Sequence, residues 1–167
     1  MEYSDSIARL FELDSKEAIL ATRPKNVLSL YTLFFRNAKR EVLLFHPSLN
    51  PEIFDNSYLC REMERAVRRN VVVEAIAERP VKPSKFLDKL IALNQWSPYA
   101  NYTELPIGYL PITQTSEFCV VDNKAFRFKG HNGTDGHAYI NNQELAGKLT
   151  SFFNVLRRNL DGIPINS

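Results

Sequence analysis

The chain has almost no charge imbalance, few cysteines and no long apolar stretch, and each shortage removes a class of protein. Its 21 Lys and Arg residues against 19 Asp and Glu leave a formal net charge of +2 at pH 7. That is too even for a surface given over to a polyanion or an acidic membrane, so any basic patch has to be local. No run approaches the ~18 apolar residues of a membrane span. The opening Met1-Glu2-Tyr3-Ser4-Asp5 lacks the basic start and apolar stretch of a secretory leader, and a cytoplasmic location without membrane contact is the expectation. The two cysteines, Cys60 and Cys119, lie far apart without C-x-x-C spacing; both are expected as reduced core residues. The histidines His46, His131 and His137 have no spacing to Asp, Glu or Cys that makes a metal set. Neither a metal nor a cofactor is expected. What remains is the composition of one compact soluble domain, 167 residues that are 44% hydrophobic and 24% charged.

Helical and extended patterns alternate along it. Val27, Leu30, Tyr31, Phe34 and Ala38 recur at helical spacing from Asn26 to Lys39, and the continuous run Val42-Leu43-Leu44-Phe45 then reads as a strand covered on both faces. Leu59, Met63, Ala66 and Val67 mark a second helix, with Arg61, Glu62, Arg65, Arg68 and Arg69 on its other side, feeding a strand at Val71 to Ile76. Ser84 can cap a third helix through Phe86, Leu87, Leu90, Ile91 and Leu93, and a third strand is expected from Asn101 to Leu105. Phe118 to Val121 and Ala125 to Phe128 make a hairpin turned at Asp122-Asn123, residues 130–136 a loop, and Leu145 to Leu156 a closing helix capped by Asn141 or Asn142. The order specifies an α/β domain, a mixed β-sheet flanked by helices. Before Asn26 the pattern is ambiguous, with Arg9 to Leu13 as an edge strand, Ser15 to Ala21 as a short helix, and Arg23-Pro24 blocking continuation. The expected organisation is 1–24 as an N-terminal extension or edge element, 25–160 as the domain, and 161–167 as a tail.

From Thr115 to Phe128 the sequence Thr-Ser-Glu-Phe-Cys-Val-Val-Asp-Asn-Lys-Ala-Phe-Arg-Phe resembles the strand-turn-strand that carries H-x-K-x4-D in the phospholipase D superfamily. With the aspartate on Asp122, Thr115 stands where the nucleophilic histidine belongs and Glu117 where the phosphate-binding lysine belongs. The helix-strand-helix-strand opening, from Asn37 into Val71-Val72-Val73, and the closing helix from Asn142 to Phe153 are similar to the same family. The chain is also similar to bacterial domains of this fold that keep Phe-x-Val-x-Asp-x4-Arg, here Phe118 to Arg127. The resemblance implies a phospholipase D-like sheet in a single domain. It also implies a homodimer, because members with one motif pair two copies across their site.

The departures bear on chemistry. Intact members attack a phosphodiester through an imidazole while a second histidine protonates the leaving group; a threonine hydroxyl without a general base does not replace that. At an effective dielectric of ~20, a unit charge about 4 Å away contributes ~4 kcal/mol, so a carboxylate in place of the ammonium disfavours a phosphorane strongly. The expected function is therefore that of a catalytically inactive binding, regulatory or scaffolding homodimer with a protein partner. Two alternatives stay open. One is a phosphodiesterase or nuclease with a relocated histidine, His46, His131 or His137; His46 reads otherwise as the plain end of a strand before Pro47. The other is a nucleic-acid-binding module using Arg61, Arg65, Arg68 and Arg69, a run that also reads as the solvated side of its helix, together with the Lys82 to Lys89 segment across a dimer. Asp122 reads as a remnant of the motif or as a turn residue. Arg127 reads as a partner of Asp122 or Glu117, or as an anion-binding group. The pairs Phe34-Phe35 and Phe152-Phe153 exceed what one core face of each helix needs, which places some of them at a subunit contact.

Overall fold

The computed structural model describes residues 2–110, 116–130 and 135–161. Seven strands form one mixed sheet: β1 (Ala18–Leu20), β2 (Glu41–Phe45), β3 (Val72–Glu78), β4 (Ala100–Leu105), β5 (Glu117–Val121), β6 (Ala125–Lys129) and β7 (His137–Tyr139), in the order β1-β7-β6-β5-β2-β3-β4. β2, β3 and β4 run parallel, and every other pairing is antiparallel. Among the described residues six helices accompany it: α1 (Tyr3–Glu12), α2 (Pro24–Asn37), α3 (Pro51–Phe54), α4 (Ser57–Arg68), α5 (Lys85–Asn94) and α6 (Gln143–Asp161).

The helices are divided five to one. Val42, Leu44, Val73, Ala75, Cys119, Val121 and Ala125 point into a core shared with α1 to α5. Their neighbours Leu43, Phe45, Ile76, Phe118, Val120 and Phe126 point the other way, onto Ala146, Phe153, Leu156 and Leu160 of α6. This is the two-residue alternation of a strand, and it explains why β2 reads as a continuous apolar run. The helix starts follow local chemistry. Asn56 Oδ1 accepts the Tyr58 and Leu59 amides at α4, Ser84 Oγ accepts Leu87 N–H at α5, and Asn142 Oδ1 accepts Leu145 N–H at α6. No described helix is long and apolar enough to cross a membrane.

Several expectations need correction. The segment before Asn26 is inverted: Tyr3–Glu12 is a helix and Ala18–Leu20 a strand paired with β7. Ile7, Leu10 and Phe11, with Tyr3, lie three and four apart and bury one helical stripe, and a ladder partner 120 residues away outweighs any local helical preference at Ala18–Leu20. Pro24 does not interrupt but starts α2, at the first-turn position where its missing N–H costs nothing. The strand β7 and the single turn α3 were not foreseen. Phe34 and Phe35 are both fully buried, because α2 is covered by α1 on one side and α4 on the other, and of the four paired phenylalanines it is Phe152 that is exposed. Cys119 is buried, but Cys60 is only half-buried.

Candidate functional site

The ladder registers assemble a polar cluster inside the core. Phe45 pairs with Phe118 across β2 and β5, so one further step sets His46 opposite Glu117. Across β5 and β6, Glu117 pairs with Lys129 and Cys119 with Arg127, which leaves Arg127 diagonal to Glu117 on the same face. That face looks toward α2, and Tyr31 reaches in from it.

The four side chains close a ring. Arg127 Nη1 donates to the Tyr31 hydroxyl at 3.2 Å, and the Tyr31 hydroxyl meets His46 Nε2 at 2.7 Å. His46 Nδ1 lies 3.0 Å from Glu117 Oε2, facing the carboxylate but too bent for a good hydrogen bond. Glu117 Oε1 accepts long contacts of 3.4 Å from Arg127 Nη1 and Nη2. Since Tyr31 accepts from arginine, its own proton goes to His46 Nε2, and the tautomer that fits carries the histidine proton on Nδ1, facing the carboxylate. The ring is electrically neutral, with one guanidinium, one carboxylate and two uncharged groups.

The acidities agree with this assignment. Burial pushes His46 below its ordinary value of 6.5 against the opposing pull of Glu117, so the imidazole is neutral. Burial would raise Glu117, but His46, Arg127 and Lys129 overcome it and hold the carboxyl at about 2. Tyr31 is raised by burial and Arg127 is raised by Tyr31 and Glu117 despite its desolvation.

Arg127 is 1% exposed, and a buried guanidinium needs a partner for each donor. The partner for Nε comes from the N-terminal segment, where the Ala21 carbonyl accepts it at 2.7 Å. Ala21 N–H is bonded to the Gly136 carbonyl and Gly136 N–H to Thr22 Oγ1. A Cβ at Gly136 would lie 2.5 Å from the Ala21 carbonyl and 2.7 Å from Arg127 Nη2, so glycine is required by the close approach of three segments.

Asp122 is not beside Arg127. It lies at the far end of β5, where Asp122 and Asn123 both have positive φ and Lys124 N–H closes onto the Val121 carbonyl, the geometry of a primed hairpin turn. Its carboxylate also accepts the backbone amides of Lys39, Arg40 and Glu41 at 2.7 to 2.9 Å, tying the hairpin to the start of β2.

The remaining candidates are scattered. Thr115 and His131 lie outside the described residues, and His137 is exposed on β7. Among the described residues no three His, Cys, Asp or Glu side chains converge as metal ligands would. On α4, Arg65 pairs with Glu62 and Arg68 with Glu64. Arg61 lies over the Tyr58 ring, while Arg69 donates to the Phe35, Arg36 and Ala38 carbonyls at the end of α2 and so serves the fold.

What solvent sees of the ring is one edge of Glu117, at the wall of a small open cleft of about 220 Å³ lined also by Pro47, Ser48, Ser116, Lys129 and Gly130. His46 is 1% exposed, with Nε2 bonded to the Tyr31 hydroxyl and Nδ1 turned to the Glu117 carboxylate. It therefore presents no lone pair to a substrate in that cleft. Tyr31, Ala21 and Gly136 were absent from the sequence-based site; the signal for Tyr31 was only its place on the buried stripe of α2, indistinguishable there from a core aromatic.

No family model matches the chain, and no curated protein matches it. Solved structures do. Nuc from Salmonella typhimurium, a phospholipase D family member, superposes with a TM-score of 0.62 at 14% identity, covering 86% of this chain and 95% of Nuc. NucT from Helicobacter pylori gives 0.58 at 11% identity, with the same coverages of 86% and 95%. The archaeal chromatin protein TrmBL2, described as showing a novel mode of DNA binding, gives 0.61 at 15% identity over 93% of this chain and 57% of its own. The fold is thus phospholipase D-like, a single α/β domain whose mixed seven-stranded sheet is flanked by helices.

Proposed function

We propose that this phospholipase D-like domain is catalytically silent and acts as a homodimeric binding, regulatory or scaffolding protein. The observation that carries the reading is the neutral ring. Where the family resemblance expects a phosphate-binding lysine, Glu117 is spent on Arg127 and His46, and His46 itself is held between Tyr31 and Glu117. Phosphoryl transfer needs an accessible imidazole and a concentration of positive charge around the phosphate; among the described residues the cleft offers no accessible imidazole and sets the Glu117 carboxylate beside its one cation, Lys129.

The homodimer rests on α6. As the one described helix on its side of the sheet it leaves Leu145, Phe152 and Val155 exposed along one stripe, and an apolar stripe of that kind marks a contact. A second copy turned by a two-fold axis would cover it. The neighbour described as a chromatin protein supports a use of this fold in binding.

The test is turnover. Bis(p-nitrophenyl) phosphate, single-stranded DNA and phospholipid vesicles are expected to remain unhydrolysed, and sedimentation is expected to give a dimer that Phe152→Lys converts to monomer. Metal-independent hydrolysis by the parent chain that disappears in a folded His46→Asn or Asp122→Asn variant would overturn the silence. A monomer at assay concentration would overturn the dimer.

A further inference from the structure

The exposed side of α4 carries residues that neither the ring nor the dimer stripe uses. Tyr58, Arg61, Arg65 and Arg68 recur three and four apart, one helical stripe running the length of α4, and all four are exposed. Ten steps of about 1.5 Å, from Tyr58 to Arg68, make that stripe about 15 Å long. Beyond its C-terminal end stands Trp96, the one tryptophan of the chain, 86% exposed.

Trp96 and Arg68 line the same cleft, about 510 Å³, whose other walls are Val67, Asn70, Leu93 and Ser97. An apolar floor of Val67 and Leu93 with amide, hydroxyl and guanidinium groups at the rim suits a flat aromatic ring bearing hydrogen-bonding edges. At the opposite end of the stripe the Arg61 guanidinium lies 5.5 Å from the Tyr58 ring centroid and holds that ring out of the core.

Charge is concentrated here. The cations of α4 and of its ion-pair partners are Arg36, Arg61, Arg65, Arg68 and Lys89, facing the carboxylates Glu62 and Glu64. Five against two leaves an excess of three on a chain whose whole excess is two. Glu62 is buried and Glu64 shared between Arg68 and Lys89, so the outward potential is positive.

We infer that this face binds single-stranded nucleic acid, with bases stacked on Trp96 and Tyr58 and the intervening phosphates on Arg61, Arg65 and Arg68. Exposed aromatics at both ends of a guanidinium row match unpaired bases joined by a charged backbone. A duplex keeps its bases stacked and cannot use the aromatics, and an acidic peptide would need the arginines alone. The surface lies at the edge where β3 and β4 begin, away from His46 at the end of β2, so it stands whether or not the cleft is silent.

Trp96 is its own reporter. Titrating the full-length protein with a short oligothymidylate is expected to quench the tryptophan emission, in step with the rise in anisotropy of the same oligonucleotide carrying a dye. Three neutralised phosphates give a slope of about −2 in log K against log salt. Trp96→Ala and Tyr58→Ala each weaken binding about 5- to 150-fold with the slope kept, whereas Arg61→Gln, Arg65→Gln and Arg68→Gln combined flatten it. Four outcomes overturn the inference: no binding at about 100 µM, the weak end of non-specific affinity; anisotropy that rises without quenching; a duplex bound as tightly as the single strand; or poly-glutamate bound as tightly as the oligonucleotide.

Discussion

Glu117 is the residue whose replacement tests the polar ring most directly. Its carboxylate is 3.4 Å from Arg127 Nη1, which at an effective dielectric of ~20 corresponds to about 5 kcal/mol of attraction. Broken buried pairs cost about 3–5 kcal/mol, and a side chain 29% exposed to solvent is partly screened. Glu117→Gln is therefore expected to destabilise by about 2–3 kcal/mol. The amide cannot satisfy the ring. With its oxygen toward Arg127, its NH₂ faces the Nδ1 proton of His46, donor against donor. Moving that proton to Nε2 aims it at the Tyr31 hydroxyl, which already accepts from Arg127 and then has no acceptor for its own hydrogen. Glu117→Lys replaces attraction with repulsion beside a buried guanidinium. Its cost exceeds about 5 kcal/mol, enough to unfold a domain whose total stability is about 5–15 kcal/mol. Urea denaturation followed by circular dichroism gives both values. At about 2–4 °C per kcal/mol for a chain of this length, Glu117→Gln should also lower Tm by about 5–10 °C. Combined with Arg127→Met it should cost less than the sum of the two, with a coupling of about 1–3 kcal/mol. A Glu117→Gln protein within about 0.5 kcal/mol of the parent, as for an ordinary surface change, or a Glu117→Lys protein of parental stability, would refute the reasoning.

Acid should weaken the fold in two stages. The unfolded chain takes a proton on His46 below its ordinary 6.5 while the buried imidazole does not, and takes one on Glu117 below 4.5 while the folded carboxyl waits until about 2. Urea midpoints are thus expected to fall from pH 6.5 downward and again between 4.5 and about 2, and His46→Gln should flatten the upper stage; equal slopes in parent and variant there would count against a buried neutral histidine. Gly136→Ala forces a Cβ against the Ala21 carbonyl and Arg127 and should cost about 1–3 kcal/mol by thermal melting, where an unchanged Tm would show that the three segments can part freely. Asp122→Ala removes the acceptor for three backbone amides and puts alanine at positive φ. A loss of about 2–3 kcal/mol is expected, with Asp122→Asn nearer about 1 because it keeps one acceptor oxygen and tolerates that φ; equal losses for the two would remove the turn argument.

The helix and strand pattern was legible where burial on one or both faces dictates residue type. Val42 to Phe45 and Phe118 to Val121 are continuous apolar runs because α6 covers the side that α1 to α5 do not. The ends were less so. Ala18–Leu20 and His137–Tyr139 are three residues each and owe their extended form to pairing with one another, a cause no local window contains. The fold class follows from the order of elements, and the pairing of Arg127 with Glu117 was one of the alternatives open to the sequence, whereas its pairing with Asp122 is excluded by their opposite ends of the hairpin. His46 read as a plain strand end, because its meeting with Glu117 depends on a ladder between strands 70 residues apart. Asp122 is the clearest case of one residue with two duties: its turn geometry is written in Asp-Asn, but its hold on residues 39–41 is visible only in the folded chain.

The register that unites His46, Glu117 and Arg127 also dictates where the chain can tolerate length change. Adding or deleting one residue inside β2, β5 or β6 would turn every later side chain of that strand over, sending the His46 imidazole after β2 or the Arg127 guanidinium of β6 toward the aromatic layer of Phe45, Phe118 and Phe153 beneath α6, and exchanging the two apolar faces of β5. Such indels should be lethal to folding at these three strands. The connection from β3 to α5, where Val81 is fully exposed, aligns nothing charged across the sheet and should accept inserted residues, so that a tag or a fused reporter belongs there.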